Sequence, residues 1–120
     1  MGAVKISAAA STAFAFCALA ACATPQEARS KGPVESYPSQ KSARVVADCI
    51  SDALEARGHS SEMYVRPLAN GYSIQVARYG NTLIAVDVLE AAAGGSITNY
   101  YRGTVIGGNK ALKADFAACQ

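Results

Sequence analysis

The chain has 120 residues and a formal net charge of +2. Its hydrophobic residues are unevenly distributed, because 16 of the first 21 residues are hydrophobic but only 45 of the remaining 99. This length allows one small domain after an apolar leader and excludes a second domain. The nearly balanced charge excludes the strongly basic surface that nucleic-acid binding requires.

The first 21 residues have the pattern of a secretory signal peptide. Lys5 provides a weakly positive start, and residues 8–21 form an apolar run that ends in small residues. The run is rich in alanine and shorter than the roughly 20 apolar residues that a membrane-spanning helix needs. We therefore expect residues 1–21 to be removed from the mature protein.

The end of the apolar run, Leu19-Ala20-Ala21-Cys22, resembles the lipobox of bacterial lipoproteins at all four positions. The resemblance implies that Cys22 becomes the first mature residue and carries a diacylglyceryl thioether and an N-acyl chain such as palmitate. Two or more acyl chains hold a protein stably on a lipid bilayer. The resemblance also implies the outer membrane, because Ala23 stands where inner-membrane lipoproteins commonly have Asp. The alternative is an ordinary secretory leader that leaves Cys22 unmodified.

The segment after the lipobox has the composition of a spacer. Residues 22–40 contain three prolines and mixed charge with few large apolar side chains, which predicts a lipidated cysteine followed by a flexible linker. A flexible chain of 18 residues reaches roughly 25 Å. We expect the linker to lift a single small α+β domain, residues 41–120, clear of the membrane into the periplasm.

Two cysteines, Cys49 and Cys119, remain once Cys17 leaves with the leader and Cys22 carries lipid. An even pair in an oxidising compartment predicts a disulfide. The alternatives are two free buried thiols or a metal site. A metal site is disfavoured because His59 is the only histidine and the sequence has no Cys-x-x-Cys or His-x-x-x-His spacing. We therefore expect no metal and no cofactor.

The domain opens with an amphipathic helix over residues 39–57. Its apolar residues fall on one side at 100° per residue and its charged residues on the other. Ser39 is the expected N-cap and Gly58 the expected end. Cys49 lies on the apolar side, which fits a bridge to another buried element.

Alternating apolar and polar residues predict four strands after this helix. The first two, residues 62–66 and 72–77, flank Asn70-Gly71, the strongest short signal for a hairpin turn. The third, residues 82–89, is apolar on both sides, as expected of a central strand. The fourth covers residues 96–105, with a bulge at Gly103. Between the last two, residues 90–95 are interpreted as a loop.

A second amphipathic helix is predicted at the end of the chain. Asn109 is its expected N-cap, and Leu112, Phe116 and Cys119 share its apolar side. The predicted order is therefore α-β-β-β-β-α. It indicates a two-layer sandwich in which a four-stranded antiparallel sheet carries both helices on one face, so that the two cysteines meet between them.

Tyrosine and arginine residues suggest the one candidate binding surface. Tyr64, Arg66, Tyr100 and Arg102 alternate along two predicted strands, and these residue types are enriched at binding hot spots. On a sheet face free of helices they would form a patch that binds a peptide, a glycan or a partner protein. The alternative is that the tyrosine rings complete a small core and keep their hydroxyl groups in water.

No catalytic motif is recognisable in the sequence. Residues 103–110 have phosphate-loop spacing, but Asn109 interrupts the required Gly-Lys pair and Ala111 replaces the hydroxyl residue that holds Mg²⁺. The chain lacks the second histidine and the serine elbow expected of a hydrolase. An enzyme would have to depend on an isolated carboxylate such as Asp87.

With LAAC, the cysteine in VVADCI and the penultimate cysteine, the chain looks like the small uncharacterised lipoproteins of proteobacteria. That resemblance carries no assigned activity and implies no catalytic residue. We expect a non-enzymatic domain that binds an envelope protein or glycan and is held to the bilayer through Cys22. The alternative is an inhibitor or immunity-type lipoprotein that blocks a hydrolase or toxin in the same compartment.

Overall fold

A computed structural model describes residues 24–59, 62–103 and 110–120. The elements in chain order are α1 (Pro25–Ser30), β1 (Glu35–Ser39), α2 (Ala43–Ala56), β2 (Met63–Leu68), β3 (Gly71–Arg78), β4 (Asn81–Glu90), β5 (Ser96–Arg102) and α3 (Lys110–Ala118). The protein is α+β, and the expected signal peptide, Cys22 and the expected cap Asn109 lie outside the described residues.

All strands belong to one antiparallel sheet with the order β1-β5-β4-β3-β2. The four predicted strands correspond to β2, β3, β4 and β5. The prediction of a four-stranded sheet is corrected by β1, which pairs with β5 and makes a fifth strand at the edge. β4, the most apolar strand of the sequence, lies third of five, where both of its edges are paired.

The expected flexible linker also needs correction, since α1 and β1 both lie within residues 22–40. Thr24 caps α1 by accepting a hydrogen bond from the backbone N–H of Glu27, and Pro25 occupies the first helical turn, where its missing N–H is not needed. β1 gains its order from β5, because Glu35 is paired with Tyr100 and Ser39 with Ser96. Polar composition does not prevent a segment from adding a strand to an existing sheet edge.

The helix α2 begins later than the sequence suggested. Ser42 is its N-cap and accepts a hydrogen bond from Val45 N–H, whereas Ser39 is the last residue of β1. Its inward residues recur every three or four positions and are fully buried at Val46, Ile50 and Leu54. Gly58 follows with a φ of +85°, the left-handed conformation that commonly ends a helix.

The apolar core lies between α2 and the middle of the sheet. α2 contacts β3, β4 and β5, and the buried residues that it meets include Ile74, Val86 and Val88. α3 adds Phe116, whose ring packs edge-to-face on Tyr100 with centroids 5.3 Å apart. Edge-to-face packing suits the opposite charges of ring face and ring edge.

The β2–β3 hairpin turns one residue earlier than predicted. Leu68 pairs with Gly71, so the turn consists of Ala69 and Asn70, and Gly71 is the first residue of β3. Glycine is needed at Gly71 because a Cβ atom there would collide with the carbonyl oxygen of Val88. The dipeptide Asn-Gly located the hairpin correctly but not its register.

A disulfide joins Cys49 to Cys119, with Cα atoms 5.7 Å apart and 70 positions between them in the chain. This is the pairing that the sequence predicted. Nearby, Lys41 Nζ donates to the carbonyl oxygen of Cys119 over 3.2 Å, and Ser39 Oγ donates to that of Gln120 over the same distance. The end of the chain is therefore held both to α2 and to the β1–α2 connection.

Candidate functional site

The strand alternation separates an apolar face of the sheet from a polar one. Val86 and Val88 of β4 point into the core under α2, so Asp87 between them points to the opposite side. We call the first side the α2 face and the second the α1 face. On the α1 face, one line of paired residues crosses all five strands. This polar row consists of Arg66, Ser73, Asp87, Asn99 and Ser36.

The helix α1 lies across the centre of the α1 face, where it contacts β4 and β5. Ala28 is buried against the sheet, and its small side chain allows the helix to approach closely. The next residue, Arg29, directs its guanidinium group at the polar row. The segment that was expected to be a linker is therefore the cover of this face.

Arg29 forms three side-chain hydrogen bonds on the α1 face. Its Nε donates to Asp87 Oδ2 over 2.8 Å, and its Nη2 donates to Asp87 Oδ1 over 2.8 Å and to Ser73 Oγ over 2.7 Å. A bidentate arginine–carboxylate pair is stronger and more directional than a single charged hydrogen bond. The three side chains, here called the Arg29 clasp, hold α1 to the centre of the sheet.

Burial of Asp87 makes a partner for its carboxylate necessary. Asp87 is only 7% exposed and Ser73 is fully buried, so the carboxylate has little access to water. A buried charge without a partner is strongly destabilising, and Arg29 is the partner. The hydrogen bonds to Asp87 also hold the pKa of Arg29 above its ordinary value, against the opposite effect of burial.

The connection from α1 to β1 follows the sheet without a gap. The backbone N–H of Val34 donates to the carbonyl oxygen of Tyr100 over 2.7 Å, just before β1 begins. Ser36 Oγ then donates to Asn99 Oδ1 over 2.7 Å within the polar row. Residues 25–39 are thus bound to the sheet at both ends.

The predicted tyrosine–arginine patch is not assembled in the structure. Tyr64 and Arg66 are exposed on the α1 face of β2, but Tyr100 is only 2% exposed and belongs to the core beneath α3. Arg102 is exposed and alternates with Tyr100, so it lies on the α2 side of β5. Two strands, β3 and β4, separate the two pairs. The pair of β2 alone remains as an exposed aromatic and cationic surface.

The sequence reasoning missed Arg29 and Ser73 because Arg29 was assigned to a linker. One signal was present: Asp87 interrupts a strand that is otherwise apolar. A carboxylate in a central strand needs a cation or several donors, so its position pointed to a basic partner elsewhere. Which of the 11 lysines and arginines supplies the partner depends on the tertiary fold.

The Arg29 clasp has the chemistry of a structural interaction that holds two elements together, and not the chemistry of a catalytic site. Both oxygens of Asp87 accept hydrogen bonds from one guanidinium group, so neither is available as a general base. Ser73 Oγ is bound to a cationic donor, whereas a serine nucleophile needs an adjacent base to take its proton. Within the part of the chain that the structure describes, no group of three or more His, Cys, Asp or Glu is placed to hold a metal ion.

Comparison of this chain with protein-family models, with curated proteins and with solved structures finds no match. Among the elements from α1 to α3, no helix is long and apolar enough to cross a membrane.

Proposed function

We propose that the protein is a lipid-anchored component of the bacterial cell envelope, with a non-enzymatic interaction domain in the periplasm. The observation that carries this proposal is the sequence Leu19-Ala20-Ala21-Cys22 at the end of an apolar leader. The sequence provides both a site for export processing and a thiol for acylation. The outer membrane is the proposed destination, since Ala23 follows the cysteine.

The disulfide supports the proposed compartment. Disulfides persist in the periplasm and in other oxidising environments, and they are rare in the cytosol. Cys119 is buried, and its bridge connects α2 to the residue that follows α3. A small domain benefits from such a covalent link because its hydrophobic core is limited.

In the proposed architecture, helices cover the two faces of the sheet to different extents. α2 and α3 form one layer on the α2 face, and, among the described residues, α1 covers part of the α1 face. The contact between Phe116 and Tyr100 supports the first placement, and the clasp of Arg29 on Asp87 supports the second. The partly open α1 face, with Tyr64 and Arg66 beside α1, is then the surface available for interaction.

Metabolic labelling with an alkyne analogue of palmitate tests the anchor. The full-length protein is expected to take up label and to fractionate with membranes, and Cys22→Ser is expected to lose both properties. Cys17→Ser, which changes a cysteine of the same leader, is the matched control and should retain both. Labelling of Cys22→Ser at the wild-type level would contradict the proposed anchor.

Crosslinking in the native envelope tests the interaction role. A tagged wild-type protein is expected to capture a stoichiometric envelope protein or glycan, and the Cys22→Ser form should capture less because it is not held at the membrane. Turnover of peptidoglycan, ester or phosphate substrates by the purified protein would contradict the non-enzymatic part of the proposal.

A further inference from the structure

The position of α1 leaves almost no free chain between the proposed anchor and the folded domain. Thr24 already caps α1, and Pro25 is its first residue. Three Cα–Cα steps separate Cys22 from Pro25, so the two Cα atoms are at most about 11 Å apart. If acyl chains attached to Cys22 enter a bilayer, the start of α1 is held at the level of the lipid head groups.

The helix that is tethered in this way lies on the α1 face. The Arg29 clasp and the pairing of β1 with β5 fix α1 and the following residues to the sheet. The α1 end of the domain therefore stays within about 11 Å of the proposed anchor while the clasp is intact. The part of the α1 face that α1 does not cover is the sheet surface nearest to the anchored helix.

The exposed side chains of this uncovered part suit a lipid head-group region. Tyr64 is 63% exposed on β2, and Arg66 is exposed two residues later on the same side. Ile97, on the same face of β5, is also exposed. Tyrosine favours the boundary between hydrocarbon and water, and arginine is attracted to anionic head groups.

The charge distribution favours the same orientation. The exposed charges that α1, its C-cap and β2 place on the α1 face are Glu27, Lys31 and Arg66, in addition to the internally paired Arg29 and Asp87, so these groups together have a positive balance. The outer surface of α2 between its ends has a negative balance, with exposed Asp48, Asp52 and Glu55 against Arg44, while exposed Lys41 and Arg57 lie just before and just after the helix. An anionic bilayer attracts the first surface and repels the second.

We infer that the α1 face is a membrane-contact surface that binds an anionic phospholipid bilayer, with Tyr64 and Arg66 at the head groups and α2 turned away from the lipid. This inference rests on the proposed acylation of Cys22. It differs from the expectation of a domain raised on a flexible spacer, because the spacer is part of the fold.

The absence of tryptophan from the sequence provides a sensitive test. Tyr64→Trp places a single fluorophore on the α1 face, and Val45→Trp places one on the outer surface of α2, where Val45 is 53% exposed. Each lipidated full-length protein is reconstituted into vesicles of phosphatidylethanolamine and phosphatidylglycerol, with or without phospholipids brominated near the glycerol end of their acyl chains. The expected result is strong bromine quenching and a blue-shifted emission at position 64, with neither effect at position 45.

Equal quenching at the two positions, or none at either, would overturn the inference. Mass spectrometry of the same samples shows whether Cys22 is acylated, so failure of the anchor is distinguished from failure of the orientation. Addition of Arg66→Glu to the Tyr64→Trp protein should reduce quenching in anionic vesicles, whereas Arg44→Glu should not. A blue-shifted tryptophan emission at position 64 in native envelopes but not in lipid vesicles would indicate that the α1 face contacts a protein partner, and it would contradict the proposed contact with lipid.

Discussion

The two faces of the sheet are closed by different kinds of interaction. On the α2 face, apolar side chains such as Ile50 and Val86 exclude water, and the Cys49–Cys119 bridge links the helices. On the α1 face, a helix of six residues is held by one ion pair and one hydroxyl group. The packing on the α2 face depends on buried apolar area and on the disulfide. The attachment of α1 on the other face depends on the geometry of one arginine–carboxylate pair. Mutations should therefore separate the two.

The largest expected effect comes from removing the bridge of the α2 face. Replacement of both Cys49 and Cys119 by Ala is expected to lower the free energy of unfolding by roughly 4 kcal/mol, because the unfolded chain regains the freedom of a long loop. Urea denaturation of the variant and of the reduced wild type should give similar midpoints. A midpoint equal to that of the oxidised wild type would show that the bridge contributes little.

The second largest effect is expected on the α1 face. Arg29→Met removes the partner of a buried carboxylate and should lower the free energy of unfolding by roughly 2 kcal/mol. It should also release α1, which hydrogen exchange at residues 25–30 would detect as faster exchange. The double variant Arg29→Met with Asp87→Val should recover most of the lost stability, because no unpaired charge remains. A double variant as unstable as Arg29→Met would contradict this account of the clasp.

A smaller effect is expected at the exposed ion pair between α2 and α3. The hydrogen bond from Arg57 holds the pKa of Asp115 below its ordinary value. The pair therefore stabilises the fold at pH values above the ordinary carboxyl pKa, and this contribution disappears as the pH falls through the lowered value. NMR titration should show the pKa of Asp115 rising toward its ordinary value in Arg57→Gln. An unchanged titration would exclude the pair as the cause.

The smallest effect on stability is expected at the exposed pair of β2. The double variant Tyr64→Ala with Arg66→Ala should change the free energy of unfolding by no more than about 0.5 kcal/mol, as is usual for exposed positions. Tyr100→Ala, by contrast, removes a buried ring and should cost several times more. Similar losses in the two proteins would mean that Tyr64 has a structural role, and the β2 pair would then be a poor candidate for binding.

The sequence was most informative where local periodicity and burial agree. The apolar side of α2, the central position of β4 and the inward direction of Cys49 all follow from spacing, and the structure contains each of them. Alternation also assigned Thr98 and Tyr100 to one side of β5 and Ile97 to the other. It did not indicate which side faces the core, because tyrosine is compatible with both environments.

The sequence was least informative where order depends on distant partners. Residues 25–39 have the composition of a linker, and their structure depends on β5 and on Asp87 rather than on local propensity. The predicted binding patch is wrong for a related reason. The sequence analysis grouped four residues because both strands carry tyrosine and arginine, but which residues are neighbours in the sheet depends on the strand order. With two strands, β4 and β3, between β5 and β2, similar motifs on β5 and β2 do not meet.

The antiparallel pairing of β1 with β5 has a consequence for how the protein is made. Glu35 is paired with Tyr100, which lies far along the chain and is synthesised much later. Long-range pairings of this kind form slowly because a large loop must close first. Residues 25–39, here called the N-terminal arm, should therefore be the last part of the fold to become ordered. The proposed processing and acylation of Cys22 would then take place before the Arg29 clasp closes over the sheet.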